Sequence, residues 1–147
     1  MNIRTTLAAL AVILGVGAAA AQSDPVKTRE QLMKENNNHA KVVVQMVKGQ
    51  TPFDAKAVEA AFAQWADTAK QLPSLFPANA KTGGDNRASP KIWENKADFN
   101  AKIADFAKVV ADNRIKAIAS LDGLKVAVNT VGKSCSACHD EYRLSKK

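Results

Sequence analysis

The chain has 147 residues, and its 21 Lys+Arg against 14 Asp+Glu give a formal charge of +7. Alternating Val, Ile, Thr and aromatic residues are nearly absent, while Ala, Lys, Asp and Glu dominate, which argues against a sheet. The lysines are spread along the chain with no aromatic-interleaved basic run, so the charge does not point to nucleic acid. An acidic protein partner, an anionic membrane surface, or a plainly solvated surface stay open.

Residues 1–21 read MNIRTTLAALAVILGVGAAAA. Arg4 supplies a positive start, an apolar run extends from Leu7 to about Val16, and Ala19-Ala20-Ala21 fits a small-x-small cleavage site before Gln22. The run is shorter than the ~20 apolar residues of a membrane-spanning helix. The pattern predicts a cleaved signal peptide over 1–21 rather than a membrane anchor. It also predicts one exported domain over 22–147, with a bacterial periplasm as destination. Loss of Arg4 leaves 20 Lys+Arg and 14 Asp+Glu, a charge of +6. Export places any thiol in an oxidising compartment.

Four helix signals follow. Asp24-Pro25 reads as an N-cap with proline in the first turn, and Gly49 as the stop. The expected inward face is Val26, Met33, Ala40, Val44 and Val47. Thr51-Pro52 is expected to open a second helix running to Leu72-Pro73, with Val58, Phe62, Trp65, Ala69 and Leu72 inward. A long polar connection from about Pro73 to Pro90 is expected to hold a short helical turn. A third helix is predicted from about Lys96 to Ala117, with Phe99, Ile103, Phe106 and Val110 inward. Ser120 caps a fourth, whose stripe is Leu121, Leu124, Val128, Val131, Cys135, Cys138 and Tyr142. These steps of three and four put a seam on one helix face. The expected fold is all-α, an antiparallel up-down-up-down four-helix bundle without repeats or a second domain.

The last helix carries KSCSACHDEYR, residues 133–143, with both cysteines of the chain and one of its two histidines. A CxxC redox pair normally follows a strand in a βαβ context, and no such context is visible. Closed zinc sites want four N or S ligands, whereas this chain offers Cys135, Cys138, His139 and a distant His39. C-x-x-C-H also reads as covalent haem attachment. Two thiols one helical turn apart can form thioethers to the two haem vinyl groups, and the adjoining His139 reaches the iron. Two buried cysteines beside an unrelated histidine are the bland alternative. No nucleophile–base–orienter set is visible, so an enzyme is not expected.

CSACHDEYR at the extreme C-terminus of a helical exported chain resembles the class II c-type cytochromes, the cytochrome c-prime family. VKTREQLM (26–33), VKGQTPFDAKAV (47–58) and SPKIW (89–93) extend the likeness over the chain beyond residue 21. The resemblance implies one covalent haem c per chain, packed between the helices. It also implies two kinds of site. In one the iron is five-coordinate and binds nitric oxide or carbon monoxide. In the other, the low-spin cytochrome c-556 type, a methionine of the first helix completes the coordination and the protein carries single electrons.

Depth along the antiparallel first and last helices separates the candidates. His139 lies ~8 Å from the end of the last helix, at ~1.5 Å per residue. Met33 lies ~12 Å from the start of the first, against ~21 Å for His39 and ~32 Å for Met46. Met33 is therefore the expected distal iron ligand, at the position where the family places its distal residue; simple core filling is the alternative. His39 is expected to be solvated. The resemblance implies that Arg29 lies near the haem propionates and Arg143 beside His139, with ordinary surface arginines as the alternative. Tyr142 and Trp93 are expected in the core. Redox partners with acidic surfaces are expected, with salt-dependent rates. The family often dimerises through its first two helices, so monomer and homodimer both stay open.

Overall fold

The computed structural model describes residues 24–81 and 86–145. The expected signal peptide and its cleavage point lie outside them. Among the described residues are five α-helices: α1 Pro25–Val47, α2 Ala55–Gln71, α3 Lys91–Glu94, α4 Lys96–Ala119 and α5 Leu121–Tyr142. A 3-10 turn, Leu72–Leu75, follows α2. None of these helices is long and apolar enough to cross a membrane. The four long helices form a closed ring in which α1 packs on α2 and α5, and α4 packs on α2 and α5.

The ends of α1 follow their local chemistry. The Asp24 carboxylate accepts from the backbone N–H groups of Val26 and Lys27, which no helical carbonyl can satisfy. Gly49, at φ +70°, takes the left-handed conformation that ends the helix. The start of α2 corrects the expectation. Asp54, not Thr51-Pro52, is its N-cap, accepting from Lys56 and Ala57 N–H. An Asp carboxylate three residues on competes successfully for those orphan donors. The Ser120 hydroxyl caps α5 by accepting from Gly123 N–H.

The buried apolar residues form two clusters. The larger joins Val43, Met46, Val58, Phe62, Trp65, Val110, Ala117, Leu124 and Val131 from all four long helices. The smaller gathers Leu72, Ile92, Phe99, Ile103 and Tyr142, with Met33 and Cys138 against it. All five residues predicted inward for the second helix are buried, four in α2 and Leu72 in the 3-10 turn, since α2 ends at Gln71 rather than at Leu72-Pro73. The α1 stripe is corrected. Leu32, Val43 and Met46 are buried with Val26, whereas Met33, Ala40, Val44 and Val47 are half-buried. A corner helix presents one face to α2 and an adjacent face to α5, and the spacing of apolar residues does not distinguish them. On α4, Phe99, Ile103 and Val110 are buried and Phe106 is half-buried.

Candidate haem site

Three adjoining cavities open around the C-terminal half of α5. One of about 390 Å³ is lined by Met33, Cys138, His139 and the apolar side chains of Leu72, Phe76, Ile92, Phe99 and Ile103. A second, of about 620 Å³, lies in the α1–α5 groove against Met33, Ala40, Val44, Cys135, Gly132 and His139. A smaller one, of about 50 Å³, touches Met33, Cys135 and Cys138. Met33 lines all three, so α1 delivers its thioether to the space that both thiols and the imidazole of α5 face.

Both thiols are half-buried and unpaired with each other. Burial pushes their pKa values up. Redox-active and catalytic cysteines show the opposite shift, which weighs against a CxxC redox pair. Among the described residues no group of three or more His, Cys, Asp or Glu is placed to hold a metal ion. Burial, aided by Arg143 and Arg87 and opposed by Asp140, holds the His139 pKa below its ordinary value. That favours the neutral ring, the state a metal ligand needs. His39 is half-exposed on α1 and is not among the residues lining these cavities.

Arg29 is 6% exposed, which corrects the surface alternative. Its guanidinium donates to the carbonyls of Leu75 (2.7 Å) and Ala80 (3.1 Å) and to Asn86 Oδ1 (3.2 Å). It also borders the first cavity. Arg143 is exposed and lines the first two cavities. Tyr142 is buried and its hydroxyl donates to Asp98 (2.6 Å), which pushes the phenol pKa up. Its ring packs edge-on to Phe99, 5.2 Å between centroids. Trp93 is half-buried and donates to the Pro77 carbonyl (3.1 Å).

Spacing and periodicity missed one part of the site. Residues 87–89 clasp the chain just beyond the motif. Leu144 N–H donates to the Arg87 carbonyl (2.8 Å) and Ser89 N–H to that of Tyr142 (2.9 Å). The Arg87 guanidinium donates to the Leu144 carbonyl at 2.7 and 3.0 Å. No local signal marks this pairing, because it joins segments 57 residues apart in the chain.

Residues 24–143 match the sequence model of the Cytochrome C' family. The chain belongs to the cytochrome c' family. A cytochrome c-556 of Rhodopseudomonas palustris is 41% identical over 96% of this chain and 97% of its own length. A cytochrome c' of the same organism is 42% identical over 99% of each. Among solved structures, cytochrome c' from R. palustris superposes with a TM-score of 0.80 at 37% identity, covering 86% of this chain and 100% of that one. This family member therefore carries one covalently attached haem c. The site fits that group. Apolar walls suit a flat macrocycle, two thiols stand one turn apart on a helix, and the one histidine among the lining residues is half-buried with its pKa lowered.

Proposed function

We propose that this cytochrome is a periplasmic one-electron carrier, not an enzyme. Cys135 and Cys138 would hold the haem through thioethers, and His139 and Met33 would ligate its iron. Met33 carries this assignment: it lines every one of the cavities that between them take in Cys135, Cys138 and His139. When bound, haem iron supplies a one-electron couple whose potential axial His/Met ligation raises. The chain's own part is to hold two neutral donors in fixed positions. Burial favours the neutral His139 ring, and a thioether has no proton to lose. Little therefore moves when an electron arrives.

The mouth of the site also suits an acidic partner. Lys34, Arg87 and Arg143 line the two larger cavities, and Glu30 is the single carboxylate among their described lining residues. Some cations elsewhere are paired, as in Lys102 with Asp98 and Glu141, Lys108 with Asp112, and Arg114 with Glu59. A second reading, a five-coordinate iron that binds nitric oxide or carbon monoxide, is favoured by the equal similarity to a cytochrome c'.

The test is the ferric absorption spectrum, read for the far-red methionine-to-iron band, together with carbon monoxide addition to the reduced form. Wild type should show the band and resist the gas. Met33→Ala should lose the band, turn high-spin and bind carbon monoxide. A wild type that is already high-spin and takes up the gas at once supports the second reading instead. Haem that acid acetone strips from the protein would rule out the thioethers.

A further inference from the structure

Phe76 carries two cations. The Arg29 Cζ lies 4.5 Å from its ring centroid and the Lys96 Nζ 5.3 Å. The same ammonium lies 5.2 Å from the Phe99 centroid and 3.5 Å from the Phe76 carbonyl oxygen. Phe76 and Phe99 meet edge to face, 4.7 Å between centroids, and both rings wall the cavity that Met33, Cys138 and His139 line. Among the described residues neither cation has a carboxylate within ion-pair distance. Burial and the neighbouring Arg29 both lower the Lys96 pKa, so holding the ammonium here is unfavourable in itself. Arg29 has hydrogen bonds to loop oxygens that account for its position; Lys96 has one long contact and two aromatic faces.

We propose that Lys96 is a tuning residue: its ammonium, held against the two rings that wall the cavity, is a fixed positive charge that raises the reduction potential of the haem seated there. The proposal rests on that placement of the haem and not on the identity of the sixth ligand. One-electron reduction by an external donor makes the site one charge more negative. A cation nearby stabilises the reduced form more than the oxidised one. The wall is aromatic and Lys96 is half-buried, so salt screens this charge less than one on the open surface.

The test is the equilibrium of the intact holoprotein with a redox mediator dye. Lys96→Gln should lower the equilibrium constant for reduction by roughly three- to tenfold, and the drop should persist in high salt. Lys96→Arg should keep the wild-type value. Lys56→Gln removes an exposed charge ~24 Å along α2 from Leu72. It should change the constant much less, and salt should abolish that change. Lys96→Met preserves the packing and repeats the measurement should glutamine disturb the fold. The proposal is overturned if both neutral variants keep the wild-type constant, or if Lys56→Gln matches them. It is equally overturned if Lys96→Arg falls as far as they do, or if the constant moves only together with a changed ferric spectrum. A misplaced haem shows separately, as haem that acid acetone strips from the wild-type protein.

Discussion

Met33 and Met46 lie on one helix and serve different ends. Met46 is 4% exposed within the larger apolar cluster. Met46→Ala should therefore lower stability by ~2–5 kcal/mol, the usual range for a truncated core methionine, while leaving the absorption spectrum unchanged; urea unfolding and the ferric spectrum check the two halves. Arg29 is the other residue whose environment decides its role. It holds three oxygens of the segment after α2. Arg29→Ala should cost about 3 kcal/mol, because buried acceptors lose charged donors. Arg29→Lys should recover little of that, since an ammonium cannot reproduce the planar fork. Denaturant midpoints of the three proteins test this. In the sequence Arg29 is one of 21 basic residues, and only the family resemblance singled it out.

At the scale of elements, the joint between α4 and α5 is tight. Ser120 alone separates the two helices. A Cβ on Gly123 would stand 1.9 Å from the Lys116 carbonyl oxygen, a backbone atom that cannot step aside. Gly→Ala inside a helix normally gains ~1 kcal/mol. Here it should instead cost on the order of 2 kcal/mol, by the overpacking it forces. A lowered melting temperature for Gly123→Ala is the expected result. The sequence offered Ser120 as a cap but not this clash, because the clash depends on how sharply α5 folds back on α4. The apolar steps of α2 and α5 were legible, since each helix turns one broad face inward. The steps of α1 were not, since it divides its apolar residues between the core and the cavity wall.

For the whole molecule, the two apolar clusters divide the bundle into unequal halves. One is a core spanning all four long helices; the other walls the cavity that His139 lines. With the haem placed there as proposed, its removal would deprive the second of a large apolar contact. Amide hydrogen exchange in the haem-free chain should then accelerate around Phe99, Ile103 and Tyr142, and stay slow around Phe62, Val110 and Leu124. Uniform acceleration would mean that the halves fold as one unit. The charge distribution has a consequence at the same scale. With Lys34, Arg87 and Arg143 at the proposed site's mouth against the single carboxylate of Glu30, electron transfer to an acidic partner should slow steeply as salt rises. Stopped-flow rates at several ionic strengths measure this, and Lys34→Glu should flatten the dependence.

The sequence by itself determined the helical class and the order of the four long helices, and it displays the C-x-x-C-H pattern of Cys135, Cys138 and His139. These rest on local chemistry: a 3.6-residue period, caps that satisfy orphan N–H groups, and thiols one turn apart. Only the tertiary structure decided which face of α1 looks at the cavity, why Arg29 lies inside, and that residues 87–89 clasp the chain beyond the motif. It alone placed Lys96 against the two rings of the cavity wall. Each of these joins groups distant in the chain, and no periodicity along one segment records what another segment will bring to it.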